Sequence, residues 1–381
     1  MKALRTKLWP ASSEGLRSMT GQKGGRATST ERVMRRVIAL GLTAFAAALP
    51  ASSGTLTEQP SAVLDVASTF PGTMPILGDV MRTLPEKVRL ASGGYLVLKF
   101  HEPGKLVPGA ETVSAVSKGT VTAAWAGAGW FAGNDSAFNM FSTVPFGPGM
   151  GEYMAWMYRG GGLELAREMF HKHGVHNIPC GLIPPEASGW FQKEIKTVDD
   201  LKGLRMRFFG LGAKVMQKHG VITSQLAPGE ILGAFKAGKL DATEFSLPAM
   251  DKPLGFHAVA KYYYFPGWHQ QATLFDLYIN KTVWDALSQR HKAIIEVACG
   301  DTMREMIADG EAAQWKVMKE LQAEGVQLKR WPPDILVSFE SAWREIVADE
   351  SAKNPNFKRV YDSYSTFRDN YAIWRHFSYL Q

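Results

Sequence analysis

Apolar and polar positions along the chain repeat in two periods. Leu64–Ala67, ending in Ser68-Thr69-Phe70-Pro71, reads as a first strand, Tyr95–Phe100 as a second and Val121–Trp125 as a third. Between them, helical spacing runs from about Pro75 to Leu90 and over residues 110–118, stopped by Ala91-Ser92-Gly93-Gly94 and by Gly119. Strand–helix–strand alternation predicts a doubly wound α/β lobe with a parallel sheet, whose ligands collect beyond the carboxyl ends of the strands, near Thr69, Pro108 and Trp130. Farther along, the pattern predicts a long helix over Gly151–His173 and a strand over Asn177–Leu182. Helices over Leu211–His219 and Pro228–Ala237, a strand over Leu240–Glu244 and a long strand over Ala272–Asn280 follow. Lys281–Gly325 is helical almost throughout, and Leu336–Ala352 and Lys358–Tyr379 are further helices. The last sets Tyr361, Tyr364, Phe367, Tyr371, Trp374 and Phe377 at helical spacing, a stripe that fits a core.

The 381 residues suffice for two lobes with separate cores, the second beginning near Pro185. A pI near 9.2 suggests a nucleic-acid partner until the charge is located. Residues 1–53 hold nine Lys/Arg and two acids, leaving 34 basic and 34 acidic residues in the rest. The remainder is neutral, so no nucleic acid is expected. Met34-Arg35-Arg36, the 13-residue apolar run Val37–Leu49 and the small residues Pro50-Ala51-Ser52-Ser53 read as a signal peptide cleaved near Ser53, with an uncleaved anchor as the alternative. Because that signal is complete from Met34, residues 1–33 read as an over-long gene start. A periplasmic, soluble protein is expected. Cys180 and Cys299 belong to no CxxC pair; they are either a disulfide or two buried thiols.

One stretch organises the second half. In Thr197-Val198-Asp199-Asp200-Leu201-Lys202-Gly203, Thr197 caps a short helix and Gly203 ends it. Leu204, Met206 and Phe208 then alternate with Arg205 and Arg207, the period of a strand with one buried face. Spacing alone allows a solvated strand face; a guanidinium facing a cleft would instead clamp a carboxylate through two parallel hydrogen bonds. GWFQKEI, TVDDLKGLRMRFFG and APGEILGAFKAGKLDATEF, with VASTFPGTMPILGD, KFHEPGKLVPGAETVSAVSKGTV and AWAGAGWFAGNDSAF upstream and VAKYYYFPGW downstream, resemble the extracytoplasmic solute receptors of TRAP (tripartite ATP-independent periplasmic) transporters. The likeness is nearest to the subgroup that binds 2-oxo acids and related monocarboxylates, and it covers residues 62–375.

The resemblance implies a two-lobed periplasmic binding protein. Each lobe is a mixed sheet flanked by helices, and a long helix spans both. Lobe I would take residues 62–184 and about 272–310, lobe II 185–271 and about 311–352, and 353–381 would form a terminal helix that can contact a second copy in a homodimer. Arg207 sits where the family keeps its carboxylate-binding arginine, and Glu244 where it keeps a metal-binding acid, with the Phe245 carbonyl completing the metal shell. Glu186 lies where the 2-oxo acid binders usually carry glutamine. Oxygen ligands of this kind suit hard cations. With both glutamates ionised, Arg207 positive and one ligand carboxylate, Na⁺ leaves the closed site at −1 and Ca²⁺ leaves it neutral, so Ca²⁺ is favoured over Na⁺; protonation of Glu186 is the competing escape. Trp130, Phe131, Trp190, Phe245 and Trp268 would rim the ligand. By resemblance the chain is not an enzyme: it captures a small organic acid and delivers it to membrane permease subunits. The alternative is a nicotinamide-dependent oxidoreductase built on Gly127-Ala128-Gly129-Trp130-Phe131-Ala132, which fits G-x-G-x-x-A but is followed by the helix-breaking Gly133-Asn134-Asp135.

Overall fold

A computed structural model describes residues 61–379; the leader expected over residues 1–53 lies outside them. In chain order, β1 (Ala62–Ser68), β2 (Leu96–His101), β3 (Ala123–Gly127) and β4 (Val175–Ile183) enter a first sheet. The chain then crosses to a second sheet and contributes β5 (Gly189–Phe191), β6 (Arg205–Arg207), β7 (Ile222–Ser224), β8 (Ala242–Thr243) and β9 (Tyr262–Phe265). It returns to the first sheet with β10 (Thr273–Asn280) and ends in the second with β11 (Gln327–Arg330).

The first sheet has the order β2-β1-β3-β10-β4, and the second β11-β9-β5-β8-β6-β7. β1 runs parallel to both β2 and β3, as the strand–helix–strand pattern predicts. β10 is inserted antiparallel between β3 and β4, which makes the sheet mixed. Every residue of β4 and all but the last of β10 are buried, because helices cover both faces of these inner strands.

Two helical expectations change. The helix predicted over Gly151–His173 is two helices, Met150–Arg159 and Gly162–Lys172, since Gly161 adopts φ 89° between them. Likewise Lys281–Ala286 is separated from Gln289–Ala323 by Leu287 and by Ser288, whose hydroxyl caps the second helix at His291 N–H.

The 35-residue helix Gln289–Ala323 is roughly 50 Å long and bears on both sheets. Its first half is joined to β4 by a disulfide between Cys180 and Cys299, and to the helix Val80–Ser92 by Lys87, which pairs with Asp301 at 2.8 Å and Glu305 at 2.6 Å. Its second half meets Lys252, on the helix Pro248–Leu254, through Glu320 at 2.8 Å and Glu324 at 2.9 Å. At the midpoint Gly310 passes the crossing chain so closely that a Cβ would lie 2.6 Å from Pro184 Cδ. The aromatic stripe of the terminal helix Pro355–Ser378 divides: Tyr364 is core, whereas Trp374 and Phe377 are exposed.

Candidate functional site

The site forms around the two strands of chain that pass between the sheets. Glu186 lies on the outward crossing from β4 to β5, and Gly267–Ala272 on the return from β9 to β10. Glu186 N–H donates to the Gln270 carbonyl at 3.1 Å, and Gly267 N–H donates to the Glu186 carbonyl at 2.9 Å. Only glycine fits at 267, where a Cβ would sit 2.3 Å from the Glu186 oxygen. A second close approach occurs at Gly189, whose φ of +129° brings it against the Thr243 carbonyl.

Alternation along β6 splits its two arginines. Arg205 is exposed and pairs with Asp241 at 2.6 Å. Arg207, 2 % exposed, turns inward. Its Nη1 donates to Glu244 Oε2 at 2.8 Å and to the Glu244 carbonyl at 2.7 Å, and its Nε to the Leu226 carbonyl at 3.2 Å. Phe245 and Phe209 flank the guanidinium, their ring centres 5.3 and 6.0 Å from its carbon. With Nε and Nη1 engaged inside the protein, the two-pronged clamp expected from sequence is reduced to the two N–H groups of Nη2.

Glu244, fully buried at the end of β8, also accepts from Phe209 N–H through Oε2 at 3.0 Å; its Oε1 has no hydrogen-bond partner. Glu186 is arranged similarly. Its Oε1 accepts from Gln270 Nε2 at 2.9 Å and Thr273 Oγ1 at 3.2 Å, while Oε2 is unpartnered. Burial first, then the negative charges of Glu244 and Asp251, push the Glu186 carboxyl well above the usual carboxylate range; the Thr273 hydrogen bond and Arg207 oppose this. His269 Nε2 lies 3.5 Å from Glu244 Oε1. Glu186, Glu244 and His269 bring ligand atoms within 4.8 Å of one another, the one such group of three among the described residues. Two bare carboxylate oxygens in a buried pocket are a donor set that a hard cation fits.

The Phe245 carbonyl is left without a hydrogen bond. Ser246 N–H donates to Asp251 Oδ1 at 3.0 Å, so the planar peptide turns the Phe245 carbonyl to the opposite side, where no hydrogen bond reaches it among the described residues. Asp251 Oδ2 accepts from Trp190 Nε1 and Tyr263 Oη, both at 2.8 Å, and burial lifts its pKa to about 7 against those bonds.

Glu186, Arg207, Ser246, Gln270 and Thr273 are the polar lining of a cavity of about 30 Å³, and Phe70, Leu77, Trp130, Phe209, Phe245 and Phe275 are its apolar lining. Of the residues singled out from sequence, Arg207, Glu186, Phe245 and Trp130 therefore meet here, and Glu244 is held next to them by its bonds to Arg207. Three do not reach the cavity. Phe131 is packed against Phe138 and Phe170. Trp190 is stacked on Tyr263 with ring centres 3.8 Å apart, its N–H spent on Asp251. Trp268 is packed between Phe146 and Phe208. Sequence reasoning missed Gln270, Thr273, His269, Phe209, Phe70 and Phe275. A signal existed for the first two: polar residues leading into a strand buried on both faces need partners.

The loop Gly127–Ala132 continues β3 into a single 3₁₀ turn over Ala128–Phe131, and no α-helix begins there. A pyrophosphate would find no helix N-terminus, so the oxidoreductase alternative is dropped.

Two mixed α/β sheets, two crossings and a deep site at the crossings with paired acids and an inward arginine define a periplasmic-type solute-binding protein. Residues 67–354 match the family described as bacterial extracellular solute-binding protein, family 7, and the chain belongs to that family. It is 32% identical over 292 residues to a monocarboxylate 2-oxoacid-binding periplasmic protein of Nostoc sp., covering 77% of this chain and 80% of that one. Among solved structures, a TRAP transporter solute-binding protein from Bordetella bronchiseptica, with copurified calcium and picolinate in a mixed-occupancy dimer, superposes with a TM-score of 0.82. Its identity is 31%, over 84% of this chain and 95% of the other. A TRAP periplasmic solute-binding protein from Pseudoalteromonas atlantica holds sodium and pyruvate (TM-score 0.80, 28% identity, 84% and 97% covered). Another, from Colwellia psychrerythraea, holds calcium and pyruvate (TM-score 0.80, 27% identity, 84% and 98% covered). The chain is a binding component of transport, not an enzyme. No described helix is long and apolar enough to cross a membrane.

Proposed function

We propose that this chain captures a small 2-oxo or 2-hydroxy monocarboxylate together with a cation in the periplasm, after cleavage of its leader, and hands it to the membrane permease of a TRAP transporter. The observation that carries this reading is the convergence of Glu186 and Glu244, each with one unpartnered carboxylate oxygen and with ligand atoms within 4.8 Å of one another, beside Arg207, which pairs with Glu244 and lines the cavity with Glu186. Arg207 would hold the ligand's carboxylate. Glu186, Glu244 and the Phe245 carbonyl would hold the cation, which supplies positive charge to the ligand's oxo or hydroxyl oxygen. These polar groups come from the second sheet and the outward crossing, and Trp130 and Phe70 close the cavity from the first sheet's side, so a bound ligand would favour the arrangement that brings the two together.

Charge favours Ca²⁺ over Na⁺. Two ionised glutamates, Arg207 and one ligand carboxylate sum to −2, which a divalent ion neutralises and a monovalent ion leaves at −1; an unpaired buried charge costs on the order of 3–5 kcal/mol. Titration calorimetry with pyruvate should show binding with calcium and none with chelator plus sodium. Sodium-only binding would overturn the cation assignment, and mass spectrometry of ligand released from fresh protein would name the acid. The exposed Trp374 and Phe377 support a homodimer through the terminal helix, which light scattering would reveal.

A further inference from the structure

The segment between the 3₁₀ helix Ser136–Phe141 and the helix Met150–Arg159 grips the return crossing at three points. Phe146 N–H donates to the Trp268 carbonyl at 2.7 Å, Leu274 N–H donates to the Ser142 carbonyl at 2.8 Å, and Thr143 Oγ1 donates to the His269 carbonyl at 3.4 Å. Between those anchors lie Gln270 and Thr273, the two side chains that hold Glu186 Oε1. One residue of the segment is strained. Phe146 has φ 51°, a left-handed value that a bulky side chain keeps only when its surroundings impose it. Three contacts do so: the N–H bond to Trp268, the stack of its ring on the Trp268 indole with centres 5.5 Å apart, and Arg368 Nη1, which donates to its carbonyl at 3.1 Å.

Arg368 belongs to the terminal helix Pro355–Ser378. Its Nε donates to Glu152 Oε1 at 3.0 Å, and its Nη1 also meets Tyr364 Oη at 3.3 Å. Arg375, two turns farther on, donates to the same carboxylate at 2.9 and 3.2 Å. Both arginines therefore dock the helix on Glu152, but of the two only Arg368 extends to the strained residue. Resting on the function proposed above, we infer that Arg368 is a positioning residue of the binding site. It holds Phe146 left-handed, and through Phe146 it keeps the return crossing where Gln270 and Thr273 orient Glu186. Were Phe146 to relax, the buried Trp268 carbonyl would lose its donor where water cannot replace it, and the crossing would loosen on the side that carries Gln270. The terminal helix is thus a support of the site as well as a surface for a second copy.

Arg368→Ala and Arg375→Ala separate this role from helix docking. Hydrogen exchange of the ligand-free protein, followed in peptides covering residues 267–274, should speed at least about tenfold in Arg368→Ala and change less than about twofold in Arg375→Ala. Calorimetry with calcium chloride, alone and with pyruvate, should show affinity at least about fivefold weaker in Arg368→Ala and within about twofold of the parent in Arg375→Ala. Equal changes in the two variants, or none in either, overturn the inference and leave Arg368 a docking residue. Arg368→Lys keeps a cation beside Glu152 without the second prong for Phe146, and gives the same comparison if alanine is not tolerated. Glycine adopts the left-handed conformation unaided, so on a Phe146→Gly background Arg368→Ala should have less than about a third of its effect on exchange. A full effect there also overturns the inference. If the parent protein binds neither calcium nor pyruvate, the proposed function falls, and the exchange comparison still decides the role of Arg368.

Discussion

Of the five buried carboxyl groups among the described residues, Glu152 is paired with Arg368 and Arg375, and the other four divide into two kinds. Asp276, in the first sheet, and Asp251, behind the site, are lifted to about 7 by burial, yet both oxygens of each are hydrogen-bonded: Asp276 by Tyr278 and Asn177, Asp251 by Ser246 N–H, Trp190 and Tyr263. Glu186 and Glu244 are as deeply buried, but each keeps one oxygen bare. A buried acid with its hydrogen bonds complete is part of the fold. One with an oxygen left open toward a cavity is waiting for a ligand.

The sharpest break in that comparison is Arg207→Ala. It strands Glu244 as an uncompensated buried charge, so it should abolish acid binding in calorimetry and lower unfolding free energy by about 3–5 kcal/mol in denaturant titration. A fold loss of this size is expected because the arginine is bonded inside the protein as well as facing the cavity. Retained micromolar affinity would remove the arginine from the binding account.

Glu186→Gln probes the open kind directly. In the cation-free protein the raised carboxyl retains its proton to higher pH than an ordinary glutamate, and a cation must displace it. Calcium affinity should therefore rise with pH, by at most about tenfold per unit, and weaken toward acid. The glutamine variant should lose this slope. With one negative charge fewer, the filled site becomes neutral with Na⁺, so the preference should move from calcium to sodium. An unchanged preference would refute the charge argument.

Asp276→Asn probes the closed kind. The folded carboxyl stays protonated to about pH 7, whereas the unfolded one ionises around its ordinary value of 3.8. Unfolding thus releases a proton between those limits, and stability should fall as pH rises through them, by at most about 1.4 kcal/mol per unit. The asparagine variant should show a flatter stability profile in that window, with ligand affinity intact. The smallest effect is expected for Thr273→Val, which deletes one hydrogen bond to Glu186: about 0.5–1.5 kcal/mol, less than about tenfold in affinity.

The same comparison explains how far sequence reading reached. The strands and helices of the first sheet were legible because their apolar spacing is local, and Arg207 because alternation along β6 separates it from Arg205. Glu186 and Glu244 stood out by their order within family-like motifs. The insertion of β10 between β3 and β4 leaves no local trace, since pairing is made by residues a hundred positions apart. Trp190 was misplaced for a related reason. An indole beside glycine suits a pocket rim, but Asp251, 61 positions later, captures its N–H and turns the ring into the core. Gln270 and Thr273 went unnoticed because only the return crossing brings them to Glu186.

That pair of crossings has one more implication. They are stitched to each other at Glu186, Gly267 and Gln270, so this portion of the binding surface is fixed by the two crossing segments themselves rather than by either sheet. Arg207, Glu244 and Phe209, by contrast, come from the strands of the second sheet or directly after them, and Phe209 meets Trp130 from the first.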